Sequence, residues 1–191
     1  MQTIDQLYQP DQLESIEQQR LAFVSDLVSQ KLITPEFSES GVLDYFRLDA
    51  TSGDALKHIL VGNEQGGSHH VPTMFALDSE AVVESTLDQP NTIPAGRFRY
   101  NQRVRKNREF GVYDVVSHGK LKPGLTSMFP NEWSTQTVIE AIAESLALPG
   151  RPLDERGTIV HEKKVGGVKV RTITDLDGLV ITSSPNFRKK R

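Results

Sequence analysis

The chain of 191 residues contains no cysteine. Disulfides and thiolate zinc sites are therefore excluded, and the redox character of the compartment is left open. No run of apolar residues approaches the length needed to span a membrane. The first dozen residues, Met1 to Gln12, are polar and acidic and lack the apolar stretch of a secretory signal, so a cytoplasmic protein without a membrane partner is expected. Internal repeats and low-complexity stretches are also missing. What remains has ordinary apolar and charged fractions, 37% and 25%, which fit a globular chain. The length accommodates one domain with a real core, or a domain with a small helical appendage.

The net charge of −3 by itself argues against a nucleic-acid partner, but its distribution points the other way. Met1 to Asp54 carries ten acidic and three basic residues. The remaining 137 residues carry fifteen acidic and nineteen basic. An acidic front is thus joined to a mildly basic body, which suits an anionic partner for the body. Arg97-Phe98-Arg99-Tyr100, followed by Arg103, Arg105, Lys106 and Arg108, sets six cations and two aromatics within twelve residues. Such interleaving suits phosphate contact with base stacking, although a solvated charged loop has the same composition.

The pattern of elements is α+β: N-terminal helices, then a body of antiparallel hairpins with a packed helix. Asp11 with Glu14 reads as a capping box. Leu13, Ile16, Phe23, Val24, Leu27 and Val28 then line one helix face, which ends before Thr34-Pro35. Tyr45 and Phe46 are expected to pack inward from an irregular stretch. Asp54 to Val61 reads as a short helix or turn, and Gly62 to Gly67 as a loop. Glu80 to Leu87 is ambiguous. Gly111 to Ser117 alternates as a strand, His118-Gly119 reads as a turn and Leu121 to Phe129 as the returning strand. Ser134 is an N-cap before Val138, Ile139, Ile142, Ala143 and Leu146, and Pro149-Gly150 stops that helix. Val168 to Thr174 and Leu179 to Ser183 form a hairpin about Asp177-Gly178.

Three of the five histidines, His58, His69 and His70, fall within thirteen residues, two of them just after Gly66-Gly67-Ser68. Two imidazoles that titrate near neutral pH can supply one base and one acid. A nearby ammonium such as Lys122 can hold developing negative charge. Glycines let a backbone approach a phosphate and bring a loop histidine near a partner on the preceding segment. Simple surface polarity explains the same residues less economically. A zinc site of His58, His69 and His70 with Glu64 or Asp54 is disfavoured, because adjacent histidines point apart and no His-x-x-x-His pair is present. Trp133 and Phe129 read as core anchors. His118 and His161 read as structural or surface residues.

The ordered set of short motifs resembles the bacterial EndoU endoribonucleases. His58-Ile59-Leu60-Val61-Gly62 and Gly67-Ser68-His69 look like the family's histidine pair. Gly111-Val112-Tyr113 fits a strand of that family. Lys122, then Thr126-Ser127-Met128-Phe129-Pro130-Asn131-Glu132-Trp133-Ser134, is similar to its pattern of lysine, Ser/Thr, Phe-Pro and Trp-Ser. Asp175 to Pro185 resembles its final hairpin. The likeness covers about Leu56 to Phe187.

The resemblance implies a uridylate-preferring RNase that needs no metal or cofactor and acts on single-stranded RNA. Cleavage would proceed by transesterification, leaving a 2′,3′-cyclic phosphate and a 5′-hydroxyl. By position, His69 matches the general base, His58 the general acid and Lys122 the lysine that stabilises the phosphorane. Thr182 matches the Ser/Thr at the uracil edge. Thr126, Ser127, Arg97, Arg99 and His70 complete the expected substrate-binding set. Two departures stand out. Ser184 occupies the position where the family often places a stacking aromatic, for which Phe187 is a substitute. The His69-His70 pair leaves the base open by one residue, with His69 preferred. Lys120 is the runner-up for Lys122. Bacterial EndoU domains often serve as toxin warheads, which would imply a neutralising immunity partner. The implied division is an acidic helical segment at 1–54, a catalytic domain at 55–187 and a basic tail at 188–191. The front helix is expected to pack on the body or to form a homo-oligomer contact. Two rivals remain: a non-catalytic RNA-binding or interaction module on the same scaffold, favoured by Ser184, and a metal-dependent hydrolase.

Overall fold

A computed structural model describes residues 10–62, 67, 69–77, 82–84, 99–100, 112–117, 120–121, 126–155 and 157–186. Helix α1 (Pro10–Ser29) opens the chain. Residues 1–9 lie outside the described ones, and Asp11 is already helical, so it is not the residue at which the helix is capped. Phe23 and Leu27, four residues apart, are buried, whereas Leu21 on the opposite face is exposed. A one-turn helix α2 (Pro35–Ser38) follows, capped by Thr34, whose side chain accepts from the Phe37 N–H.

The next segment is a 3-10 helix (Val42–Tyr45). Its three-residue repeat carries Leu43 and Phe46 inward and turns Tyr45 out, 49% exposed. The inward packing expected of Tyr45 is thus corrected, while Phe46 does pack inward. Strands β1 (Leu48–Asp49) and β2 (Gly53–Asp54) form a small ribbon that delivers the chain into α3 (Ala55–Leu60). Helix α4 (Val71–Leu77), with Pro72 in its first turn, was not foreseen from the sequence.

One antiparallel sheet is built on β5 (Val112–Ser117), flanked by β3 (Val82–Glu84) and β4 (Arg99–Tyr100) and paired with β6 (Lys120–Leu121) and β7 (Thr126–Ser127). The strand expected to return as far as Phe129 stops at Ser127. Met128 and Phe129 instead leave the ladder and are wholly buried. The second sheet has the order β11-β10-β9-β8, from β8 (Arg151–Pro152), β9 (Ile159–Val165), β10 (Val168–Thr174) and β11 (Val180–Pro185), all antiparallel. Strand β9 was missed because His161-Glu162-Lys163-Lys164 conceals its alternation. Asp175 Oδ1 accepts from the N–H groups of Asp177 and Leu179, fixing the turn before β11.

Helix α5 (Thr135–Ser145), capped by Ser134, packs its face of Val138, Ile139 and Ile142 on β9 and β10. A single core joins these residues to Phe23 and Leu27 of α1, to Leu43 and Phe46, to α3, to Phe129 and to Val168, Val170 and Val180. The acidic front and the body therefore share one interior. The predicted turns at Asn91 to Gly96 and His118-Gly119 lie outside the described residues, as do most of the cationic run and the basic tail.

Candidate active site

The spacing of α3 decides where His58 goes. Asp54 caps the helix, its Oδ1 accepting from the N–H groups of Leu56 (2.8 Å) and Lys57 (3.2 Å). Ala55, Leu56, Ile59 and Leu60 take the buried face. His58 is left on the opposite side, on the wall of a cleft of about 220 Å³. Thr182 and Ile181 of β11 and Arg47 form other walls of that cleft. Phe46 bridges to Val180, and α3 packs on β11, which is what brings His58 and Thr182 together.

Gly67 fits against α3 only as a glycine. Its φ is +78°, and a Cβ there would collide with the carbonyl oxygen of His58. The loop then runs into His69, whose N–H donates to the Ile59 carbonyl (2.8 Å) and whose own carbonyl accepts from the Phe129 N–H (2.7 Å). The ring is fixed as well. Nδ1 lies 2.6 Å from the Ser127 carbonyl. A carbonyl can only accept, so Nδ1 carries the proton and Nε2 keeps its lone pair. Burial lowers the His69 pKa to about 4; the Ser127 carbonyl works against this, and the charge of neighbouring His58 adds to it. His69 is therefore a neutral imidazole at pH 7.

His70 faces the other way. It is fully buried, with Nε2–H donating to the Trp133 carbonyl (3.0 Å). Nδ1 accepts from the Thr73 hydroxyl (2.6 Å), whose oxygen is bonded in turn to Thr135 (2.8 Å). Burial, opposed by the Trp133 bond, also lowers its pKa to about 4. Both nitrogens are occupied inside the protein. Trp133 stacks on Phe129 with centroids 6.1 Å apart, so the two expected core anchors brace this loop.

Of the other expected site residues, Ser184 is half-buried on β11 opposite Arg171. Thr126 pairs with Tyr113, and Arg99 with Asp114. Ser127 contributes its carbonyl. Lys122 and Arg97 lie outside the described residues, and so does Phe187; Lys120 pairs with Ser117. Among the described residues, no three His, Asp or Glu side chains gather so as to hold a metal ion. No described helix is long and apolar enough to cross a membrane.

Two residues of the acidic front were not singled out from the sequence. Arg20 of α1 reaches Asp54 with two bonds of 2.6 Å and donates to the carbonyls of Leu43 (3.1 Å) and Phe46 (3.2 Å). Arg47 stands in the cleft wall. Neither carried a motif: the partners of Arg20 are 23 to 34 residues away, and Arg47 reaches the cleft through its backbone bond to Val180.

An imidazole on the wall of the cleft and a second one near it, held neutral with its Nε2 lone pair free of the Ser127 bond, are equipment for acid–base chemistry. Residues 52–185 match the bacterial EndoU nuclease family, about seven-tenths of the chain, and the protein belongs to that family. Membership of this nuclease family implies ribonuclease activity. Neither the curated proteins searched nor the solved structures contain a match to it.

Proposed function

We propose that the protein is a metal-independent endoribonuclease that cleaves single-stranded RNA at uridylates by transesterification. The observation that carries this reading is the locked ring of His69 beside His58. Nε2 of His69 takes the proton of the 2′-hydroxyl. The 2′-oxygen then bonds to the adjacent phosphorus, and the bond from phosphorus to the 5′-oxygen breaks. His58 gives that oxygen its proton. The products are a 2′,3′-cyclic phosphate and a 5′-hydroxyl, and no water is consumed. A base and an acid of this kind each contribute roughly two to four orders of magnitude. Lys122 holds the charge of the phosphorane. Thr182, in the same cleft as His58, contacts the uracil edge, with Ser184 beyond it on the same strand. Arg97 and Arg99 follow the RNA backbone. His70 takes no part in contact with RNA; it anchors the loop that presents His69. Ser127 holds that loop from β7 through its carbonyl, beside Thr126 on the same strand.

The test is cleavage of a short labelled RNA with one uridine, in EDTA. Wild type is expected to give a cyclic phosphate end, and His69→Ala and Lys122→Ala to lose it. Salt-sensitive binding without cleavage would refute the enzymatic reading in favour of an RNA-binding module. Loss of cleavage in EDTA that is restored by a divalent metal would refute the mechanism.

A further inference from the structure

Arg47 lies outside the segment that matches the family, yet it lines the cleft with His58 and Thr182. Its backbone is fixed on both sides. The Arg47 N–H donates to the Val180 carbonyl (3.0 Å), and its carbonyl accepts from the Ala55 N–H (3.0 Å). The side chain is held too. Nη2 reaches Asp49 at 2.6 Å, and Nε lies 3.7 Å from Asp175, leaving the side chain 35% exposed. Nη1 has no partner among the described residues.

Two carboxylates on one guanidinium matter for what it can bind. They compensate its charge, so the site attracts a phosphate poorly. They also fix its plane, so that the remaining N–H groups present a rigid, directed pair of donors. A neutral carbonyl oxygen is the acceptor that suits such a group.

The cleft also needs a group of this kind. Uracil and cytosine share a carbonyl at position 2 and differ at position 4, where uracil accepts and cytosine donates. The Thr182 hydroxyl both donates and accepts, so alone it separates them weakly. Among the described residues lining the cleft, Arg47 is the side chain that can only donate whatever its protonation, whereas His58 gains an acceptor once it has given up its proton. We propose that Arg47 is a specificity-determining residue that donates to the position-4 carbonyl of uracil and rejects the cytosine amine. This rests on the uridylate reading above. It makes the acidic front part of the substrate site, carried there by the bonds of Arg20 to the carbonyls of Leu43 and Phe46.

The experiment compares the full chain with Arg47→Met and Arg47→Lys on RNAs containing a single uridine or a single cytidine, at two salt concentrations. Titration with uridine 3′-monophosphate and cytidine 3′-monophosphate runs beside it, with circular dichroism to confirm folding. Arg47→Met is expected to lower the uridine-to-cytidine ratio by about tenfold to a hundredfold, the loss of a charged hydrogen bond set against an unmatched donor pair. Arg47→Lys, which keeps donors but not the rigid fork, is expected to lower it less, and decides the matter if Arg47→Met is unfolded. An equal loss on both RNAs with a shallower salt dependence would mean a phosphate contact and would overturn the proposal. An unchanged ratio in both variants would overturn it as well. The nucleotide titration separates this from the activity: an Arg47-dependent preference for the uridine nucleotide in a protein that cleaves nothing would sustain the inference while refuting the enzymatic reading.

Discussion

Mild acid should destabilise this protein through two histidines, His70 buried and His69 half-buried. In the folded chain the pKa values of His69 and His70 are both lowered from 6.5 to about 4. In the unfolded chain both return to 6.5. Above pH 6.5 the imidazoles are neutral in either state, and their contribution to stability is fully present. As pH falls from 6.5 toward 4, the unfolded chain binds protons that the native chain refuses, so stability is lost. At pH 5 the difference is about 2 kcal/mol per histidine, hence about 4 kcal/mol for the pair. The window from pH 7 to pH 5 keeps carboxylates out of the result. Asp49 and Glu162 are also lowered, but their ordinary values of 3.8 and 4.5 lie below it, so their contributions fade only under stronger acid. The assay is urea unfolding by circular dichroism at both pH values. A drop of this size moves the midpoint by roughly 1–2 M. His70→Gln removes one of the two groups and should halve the pH effect, whatever it does to stability at pH 7. A wild-type loss under about 1 kcal/mol, or an undiminished pH effect in His70→Gln, would refute the argument that burial holds these rings neutral.

Arg20→Met leaves Asp54 buried and unpaired, so it should cost about 3–5 kcal/mol, seen as a melting temperature lower by roughly 10 °C. Gly67→Ala should fold but cut RNA cleavage by about a hundredfold or more, because the loop must back away from His58 and misplace His69; unaltered turnover would contradict the close approach. The acid limb of kcat/KM should lie near pH 4, with no fall in rate down to pH 5.5, and a limb near 6.5 would show that His69 is not the free enzyme's base. Ser134→Ala should destabilise by about 1 kcal/mol in a thermal melt without altering cleavage per folded molecule.

Much of this architecture was legible from local pattern. The α5 face, the Ser134 cap and the Asp177-Gly178 hairpin are short-range signals, and each element formed where its spacing placed it. Elements held by distant partners were harder to read. The charged run of β9 makes sense only beside β10, and Tyr45 points outward because of a 3-10 repeat that no motif announces. The site divides along the same line. His58 and Thr182, named from motifs, do share a cleft. Sequence preferred His69 to His70 only by its match to a motif, with no physical ground for which ring is the more accessible. That choice depends on which carbonyls stand nearby, Ser127 or Trp133. Arg20 and Arg47 were hidden inside an acidic segment whose overall charge argued against a role in binding an anion.

One backbone atom, the carbonyl oxygen of Ser127, selects the tautomer of His69. Every amino acid at position 127 would supply the same oxygen. A survey of side-chain substitutions can therefore pass over this position and find nothing. The information resides in the path of the main chain, and any change that shifts β7 by an ångström, however far away it is made, would silence the base with His69 intact.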